Sequence, residues 1–357
     1  MNVLSLFDGM SCGQLALQRL DIKVDAYYAS EIDKYAMQVT QANFPNTIHI
    51  GDVCDIKAED YQDIDLILAG SPCQGFSFAG KQLAFDDPRS ALFFEFIRLL
   101  KAIKPKYFLL ENVRMKQQYL DVITQQVSEC YPEHEGNDLF DSKIEPILIN
   151  SALLSAQSRQ RLYWTNIPNV KQPADRGMVL KDILEDDFNS ERDKSYCIDA
   201  NYYKGANVEQ YKKKSRRQLV SKPKQVENRE PKIVVKDLVE EERIVVDKEK
   251  RQLLIAEATK KGYTVIEDGD CFDISYPNSK TRRGRNMKYK CNALTAVNQN
   301  YMRFENLSWR KLTPLECERL QTVPDNYTAS VSNTQRYKML GNGWTVDVIC
   351  HILKQMD

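Results

Sequence analysis

Val3-Leu4-Ser5-Leu6-Phe7, followed by Asp8-Gly9-Met10-Ser11-Cys12-Gly13 and the amphipathic run Gln14 to Leu20, decides the fold. A short apolar run, a Gly-containing turn and a segment of helical spacing make one strand–turn–helix unit. The same grammar repeats down the chain. Ala26-Tyr27-Tyr28-Ala29 reads as a strand closed by Ser30-Glu31, with a helix through Ala42. Ile48-His49-Ile50 leads into Gly51-Asp52, and Leu66-Ile67-Leu68-Ala69 is a buried strand ending at Gly70-Ser71-Pro72-Cys73. Helical spacing runs from Ala91 to Ala102, and Tyr107-Phe108-Leu109-Leu110 is a strand ending at Glu111-Asn112. Alternating strands and helices predict a mostly parallel sheet with helices on both faces. In such a sheet ligands gather at the carboxyl ends of the strands, where every polar or Gly-rich break just quoted falls.

Periodicity weakens after Trp164, and Asn166-Ile167-Pro168-Asn169 with Pro173 reads as a linker. From there to about Leu307 the chain is polar, Lys-rich and poor in strand signals. Order returns at Lys311-Leu312-Thr313-Pro314, with a helix from Leu315 to Leu320 and a last one, after Gly341-Asn342-Gly343, through Leu353. The expectation is a large α/β domain split into 1–169 and 307–357, with a smaller basic domain, 170–306, inserted.

Of 357 residues, 42% are hydrophobic and 28% charged, ample for a core without disulfide or metal staples. No apolar run approaches the roughly 18 residues of a membrane span, and the N-terminus has no signal-peptide pattern. Nine Cys without paired spacing suit a reducing cytoplasm, and three His far apart give no zinc site. The net charge of zero hides an asymmetry. Residues 1–150 hold 13 Lys and Arg against 22 Asp and Glu, leaving 37 basic and 28 acidic residues in the remainder. Two segments concentrate the positive charge: Tyr202 to Lys224, which contains Lys212-Lys213-Lys214-Ser215-Arg216-Arg217, and Lys280-Thr281-Arg282-Arg283-Gly284-Arg285-Asn286-Met287-Lys288-Tyr289-Lys290. Interleaved with Tyr and Asn, they point to a phosphate backbone rather than to a merely solvated face.

The first loop has Gly9-x-x-x-Gly13 in place of a dinucleotide-binding Gly-x-Gly-x-x-Gly, and Asp8 stands where a phosphate would be repelled. Glu31 and Asp52, after the second and third strands, can accept hydrogen bonds from ribose hydroxyls and an adenine amine, or can simply cap the helices beside them. Three acids in register suggest an adenosyl ligand with positive charge and no phosphate, S-adenosylmethionine rather than NAD. Cys73 follows a Pro at a strand end, where a thiolate is favoured near a helix N-terminus. Glu111 ends the neighbouring strand, and Arg159 and Arg161 stand at alternate positions of an extended segment. A thiol, a carboxyl and two guanidinium groups beside a methyl donor fit attack on an electron-poor ring.

With these motifs in hand, the chain resembles the DNA (cytosine-5) methyltransferases over nearly its whole length. Phe7-Asp8-Gly9 with Gly13 is similar to the family's cofactor loop, Pro72-Cys73-Gln74 to its nucleophile motif and Glu111-Asn112-Val113 to its acid motif. Gln157-x-Arg159-x-Arg161, Arg310-Lys311-Leu312-Thr313-Pro314-Leu315-Glu316-x-x-Arg319-Leu320-Gln321 and Gly341-Asn342-Gly343 follow in the family's order. The resemblance implies a Rossmann-like fold with the insertion as target-recognition domain. It implies a cofactor site of Phe7, Asp8, Gly9, Gly13, Glu31, Ile32, Asp52, Val53, Pro72, Leu92, Asn342 and Val346. It also implies a mechanism in which Cys73 adds to carbon 6 of a cytosine flipped out of duplex DNA, assisted by Glu111, Arg159 and Arg161. Gln74 to Ser90 is the expected lid, with Ser77, Lys81 and Arg89 on phosphates. Lys212, Lys213, Arg216, Arg217, Arg282, Arg283 and Arg285 are the expected further DNA contacts, with no metal.

Departures exist. Met10-Ser11-Cys12 interrupts the Gly-x-Gly of many relatives, and their Thr-Leu dipeptide appears as Ala293-Leu294. The rival is a tRNA cytosine methyltransferase, whose relatives share a Cys-Phe-Thr tripeptide where this chain has Cys271-Phe272-Asp273. A cytoplasmic monomer from a bacterium or a phage-infected host is expected, and the sequence leaves open whether a cognate restriction endonuclease acts beside it.

Overall fold

The computed structural model describes residues 1–70, 88–133, 143–204, 208–223, 245–247, 252–256, 262–266, 270–273, 286–288, 300–302 and 307–356. They form two compact units, Met1–Leu219 with Lys311–Asp357, and Val220–Arg310. Residues 170–219 thus pack with the first unit.

The first unit is built on a seven-stranded sheet, β1 (Asn2–Leu6), β2 (Ala26–Ser30), β3 (Ile48–Gly51), β4 (Leu66–Ala69), β5 (Tyr107–Val113), β6 (Ile147–Asn150) and β7 (Gln160–Thr165). Their order is β3-β2-β1-β4-β5-β7-β6, parallel from β3 to β5, with β7 antiparallel to β5 and β6 antiparallel to β7, so that β7 alone runs against the rest. This is the expected mostly parallel, doubly wound sheet. Helix α1 (Cys12–Arg19) follows β1, α2 (Lys34–Asn43) follows β2, and α3 (Pro88–Ile103) and α4 (Gln117–Cys130) flank β5. A short α5 (Val208–Lys214) precedes the second unit, and α6 (Pro314–Leu320), α7 (Asn333–Asn342) and α8 (Val346–Leu353) follow it.

Central parallel strands are covered on both faces, so their side chains must be apolar without alternation. Leu66-Ile67-Leu68-Ala69 meets that demand and is fully buried. Leu4, Leu6, Ile67, Phe108 and Leu110 face Phe93, Phe96, Leu99 and Leu100 of α3 and Ile123 and Val127 of α4. On the opposite face α1 packs against α8, and Leu15, Ala16, Leu17, Val348, Ile349 and Ile352 of the two helices are buried. Each such side chain contributes about 1.5–3 kcal/mol. The Arg19–Asp347 ion pair, 2.7 Å, fastens the same two helices. Helix α6 begins with a capping box: Glu316 N donates to Thr313 Oγ1 at 3.2 Å, and Thr313 N donates to Glu316 Oε2 at 2.8 Å.

The second unit corrects the strand-poor expectation for this region. It holds an antiparallel sheet of β9 (Val245–Asp247), β10 (Gln252–Ala256) and β11 (Tyr263–Ile266), and another of β12 (Asp270–Asp273), β13 (Asn286–Lys288) and β14 (Asn300–Met302). β8 (Leu219–Pro223) pairs with β15 (Leu307–Lys311) at its two chain ends. Strands of three to five residues carry too few side chains to display a period of two.

Gly341, near the end of α7, lies against the 199–200 backbone, and a Cβ there would come within 2.2–2.4 Å of Asp199 and Ala200 backbone atoms. Backbone cannot yield as a side chain does. Gly341→Ala is expected to destabilise the protein by about 3 kcal/mol in urea unfolding; an unchanged midpoint would show that this close approach is relieved without cost.

Candidate active site

Strand order reverses at β1 and β4, which lie side by side while their connections run to opposite edges of the sheet. A crevice must open where the two loops part. There the first unit has a cavity of about 350 Å³, walled by residues 7–10 after β1, Glu31 and Asp33 after β2, Gly70 after β4 and residues 111–113 at the end of β5. Arg159, Arg161 and the α7 end with the turn beyond it (Gln335, Lys338, Met339 and residues 341–344) complete the wall.

The loop after β1 is strained. Phe7 and Ser11 have φ of 57° and 58°, left-handed values costing a non-Gly residue roughly 1–2 kcal/mol each, and Gly9 lies between them at 60°. A Cβ on Gly9 would meet nothing within 4 Å, so backbone conformation alone favours glycine there. Gly13 is different. Its hydrogen leaves room for Leu68, whose Cδ1 would lie 2.5 Å from a Cβ, and it stands outside the cavity wall.

The acids have distinct settings. Glu31 Oε2 accepts Gly9 N–H at 2.8 Å, while Oε1 accepts Ile32 and Asp33 N–H, each at 2.8 Å. Its carboxylate therefore ties two loops together and leaves one further acceptor site, on Oε2, for a ligand. Asp52 Oδ1 accepts Cys54 N–H at 3.0 Å, and Asp52 is not part of the cavity wall. Asp8 accepts from the Tyr27 hydroxyl at 2.8 Å and from the Ser11 hydroxyl. Burial pushes Asp8 up to about 6, against the lowering effect of hydroxyls on Ser11, Ser5 and Tyr27.

Glu111, 8% exposed, is held at both oxygens. Arg161 Nε meets Oε1 at 2.9 Å, and Trp344 Nε1 donates to Oε2 at 3.1 Å. A charge-assisted bond of this kind contributes about 1.5–3 kcal/mol, enough to fix one rotamer. Trp344 was not expected from the sequence, although it directly follows Gly341-Asn342-Gly343. Its indole sits over the end of β4, where a Cβ on Gly70 would lie 2.9 Å from Nε1. Arg159 is 3% exposed and turned into the protein. It donates to Gly341 O through Nη1 and Nη2 at 3.2 Å, to Gly343 O at 3.0 Å and to Ile198 O at 3.2 Å. A cation at the carbonyl end of α7 complements the helix dipole. It also fixes the turn that carries Trp344.

The cavity wall thus brings together Phe7, Asp8, Gly9, Glu31, Glu111, Arg159, Arg161 and Asn342 of the expected residues. Ile32, 74% exposed, lies next to Glu31 but outside the wall; Val53 and Val346 are core residues, and Leu92 packs against the core. Cys73, Pro72, Ser77, Lys81, Arg282, Arg283 and Arg285 lie outside the described residues, as do the side chains of Arg89 and Lys213. Lys212 is exposed on α5, Arg216 pairs with Asp199 at 3.2 Å, and Arg217 is half-buried. Among the described residues no cluster of His, Cys, Asp and Glu could hold a metal ion, and no helix is long and apolar enough to cross a membrane.

The model of the C-5 cytosine-specific DNA methylases matches residues 1–357. Type II methyltransferase M1.ScrFI of Lactococcus lactis subsp. cremoris is 29% identical over 379 aligned residues, covering 99% of this chain and 77% of that protein. Type II methyltransferase M.NlaX of Neisseria lactamica is 28% identical over 360, covering 99% and 95%. Among solved structures, a Spodoptera frugiperda DNMT2 mutant shares the fold at a TM-score of 0.57 and 18% identity, covering 99% of this chain and 98% of that one.

The two arginines should separate in unfolding experiments. Arg159→Met removes a buried donor from the carbonyls of Ile198, Gly341 and Gly343 and is expected to cost about 3 kcal/mol or more, whereas Arg161→Met, at a more open position, should cost about 1–2 kcal/mol. Equal losses would mean that Arg159 does not brace the α7 end.

Proposed function

Because the chain belongs to the C-5 cytosine-specific DNA methylase family, we propose that it transfers a methyl group from S-adenosylmethionine to carbon 5 of a cytosine flipped out of a specific duplex DNA sequence. The observation that carries this reading is Glu111, held at both oxygens on the wall of a cavity at the strand-order reversal.

The residues present fit S-adenosylmethionine better than a dinucleotide. A phosphate at the first loop would need free N–H groups, and the Gly9 N–H is already bonded to Glu31. Acids and Phe7 on the wall suit ribose hydroxyls, an ammonium group and an adenine face. Phe7, Gly9, Glu31 and Asn342 would hold the cofactor directly. Ile32, which is exposed, and Val53, Leu92 and Val346, which back the neighbouring segments, would act at its edges or through packing. The bound cofactor supplies an electrophilic methyl group.

Carbon 5 of cytosine is a poor nucleophile until a thiolate adds to carbon 6. Cys73, in Pro72-Cys73-Gln74, would form that carbon–sulfur bond. Glu111 would face ring nitrogen 3 and share its proton, neutralising the charge that builds as the ring becomes enamine-like. Arg161 pairs with the Glu111 carboxylate and would hold the ring carbonyl, while Arg159 braces the turn behind them. Carbon 5, now nucleophilic, takes the methyl group. Loss of its proton restores the ring and breaks the carbon–sulfur bond. The loop Gln74 to Ser90 would close as a lid, with Ser77, Lys81 and Arg89 on phosphates. The basic runs around Lys212 and Arg283 would follow the DNA backbone, and the 170–306 region would carry target recognition. A cytoplasmic enzyme acting as a monomer, beside an independent endonuclease or alone, completes the reading.

Incubation with labelled S-adenosylmethionine should place label in duplex DNA and not in tRNA. Cys73→Ser should retain cofactor binding while turnover falls roughly a thousandfold or more. Label confined to tRNA would move the substrate to RNA, and wild-type turnover by Cys73→Ser would overturn the covalent step.

A further inference from the structure

Asp8 stands in the cavity wall, where an acid would seem placed to meet the ammonium group of the cofactor proposed above. Its side chain has other partners. Tyr27, on β2, is 3% exposed, and Ser11, at the start of α1, is fully buried; their hydroxyls donate to the two carboxylate oxygens. Thr40 Oγ1, on α2, donates in turn to Ser11 Oγ at 3.2 Å and approaches Gly9 O at 3.4 Å. The main chain adds Asp8 N–H to Ser30 O and Ser11 N–H to Asp8 O. This network grips the loop on both sides of Gly9. On that same loop Phe7 and Ser11 occupy left-handed conformations that relax unless the surroundings over-determine them.

We propose that Asp8 is a positioning residue, whose carboxylate holds the strained first loop in its cofactor-receiving shape from beneath and makes no contact with the cofactor's ammonium group. The inference rests on the cofactor reading above for its binding consequence, but not for its structural one. The titratable and charged groups facing Asp8 are Tyr27 on β2, Glu31 beyond it, Cys12 on α1 and Tyr327 ahead of α7. The nearby carboxylate, Glu31, acts in the same direction as burial on Asp8, and among the described residues no cation is a cause of its shift. The hydroxyl donors oppose both. An ionised carboxylate can accept from two hydroxyls at once, with neither oxygen carrying a proton of its own.

Asn and Ala distinguish the two roles. Asp8→Asn keeps an oxygen for Tyr27 and offers its N–H to Ser11 Oγ, so the loop stays held; Asp8→Ala removes the hold. Two probes complete the design: S-adenosylhomocysteine, which carries the amino-acid end, and methylthioadenosine, which lacks it. In calorimetric titrations at pH 8, Asp8→Asn should bind both within about threefold of wild type, and Asp8→Ala should bind both about tenfold more weakly. Weaker S-adenosylhomocysteine binding by Asp8→Asn, with methylthioadenosine unchanged, would assign Asp8 to the ammonium group and overturn the proposal. Unchanged binding of both probes by Asp8→Ala would overturn it as well.

Two measurements need no ligand and keep the test independent of the cofactor reading. Amide exchange across residues 8–13 should quicken about tenfold in Asp8→Ala but not in Asp8→Asn, with β4 unaffected; unaltered exchange would overturn the proposal. A carboxyl raised to about 6 in the folded protein, against 3.8 when free, favours folding as pH falls through that window. Asp8→Asn should therefore melt higher than wild type at pH 8, by roughly 2–5 °C, with the gap shrinking at pH 5. A gap that is the same at both pH values would show that the carboxyl titrates in the folded protein as it does when free, ionised at both, and would overturn a carboxylate held in a buried setting. Failure of wild type to bind either probe would sink the cofactor reading alone, and the exchange and melting results would still decide the role of Asp8.

Discussion

Strands β1 and β4 lie hydrogen-bonded at the centre of the sheet, yet the chain leaves them in opposite directions. That reversal is the constraint from which the site follows. Loops that diverge cannot cover the seam between them, and buried parallel strands require helices on both faces, so an opening persists at their carboxyl ends. Six stretches far apart in sequence, around Phe7, Glu31, Gly70, Glu111, Arg161 and Trp344, therefore share one cavity. The C-terminal segment must return to complete it, and it does so by laying α8 on α1 and fastening Arg19 to Asp347.

Charge in the cavity wall is managed mostly by hydrogen-bond donors rather than by opposite charges. Glu31 takes three backbone N–H groups, Asp8 takes two hydroxyls, and Glu111 takes an indole N–H with the guanidinium of Arg161. Arg159 is the inverse case, a buried cation satisfied by carbonyl oxygens. Each arrangement fixes a direction as well as a charge, because hydrogen bonds weaken steeply off axis whereas a Coulomb contact does not. A carboxylate fixed this way presents the same edge to the cavity in every molecule.

The braces form a relay. Arg159 holds the carbonyls of Gly341 and Gly343, the turn they define carries Trp344, and the indole holds Glu111. Two glycines make this possible for different steric reasons: Gly341 admits the 199–200 backbone, and Gly70 admits the indole. A sequence pattern that prizes Gly341-Asn342-Gly343 for ligand contact would overlook that half of its work is packing.

The sequence by itself determined the alternation of strands and helices in the first 115 residues, because strands buried on both faces must be continuously apolar and their loops must be polar or Gly-bearing. It also set Glu31 and Glu111 at strand ends and Arg159 and Arg161 on one extended segment, and the cavity wall includes all four. It did not disclose the short strands of the second unit, which are too brief to show a period, or that β7 inserts antiparallel between β5 and β6. Nor could it say that Asp8 points toward Tyr27 and Ser11, that Arg159 serves carbonyls, or that Trp344 reaches Glu111 from 233 positions away. Local periodicity reports which face of an element is buried. Which partner a polar group finds depends on chain segments brought together only by the finished packing, and that the tertiary structure alone decided.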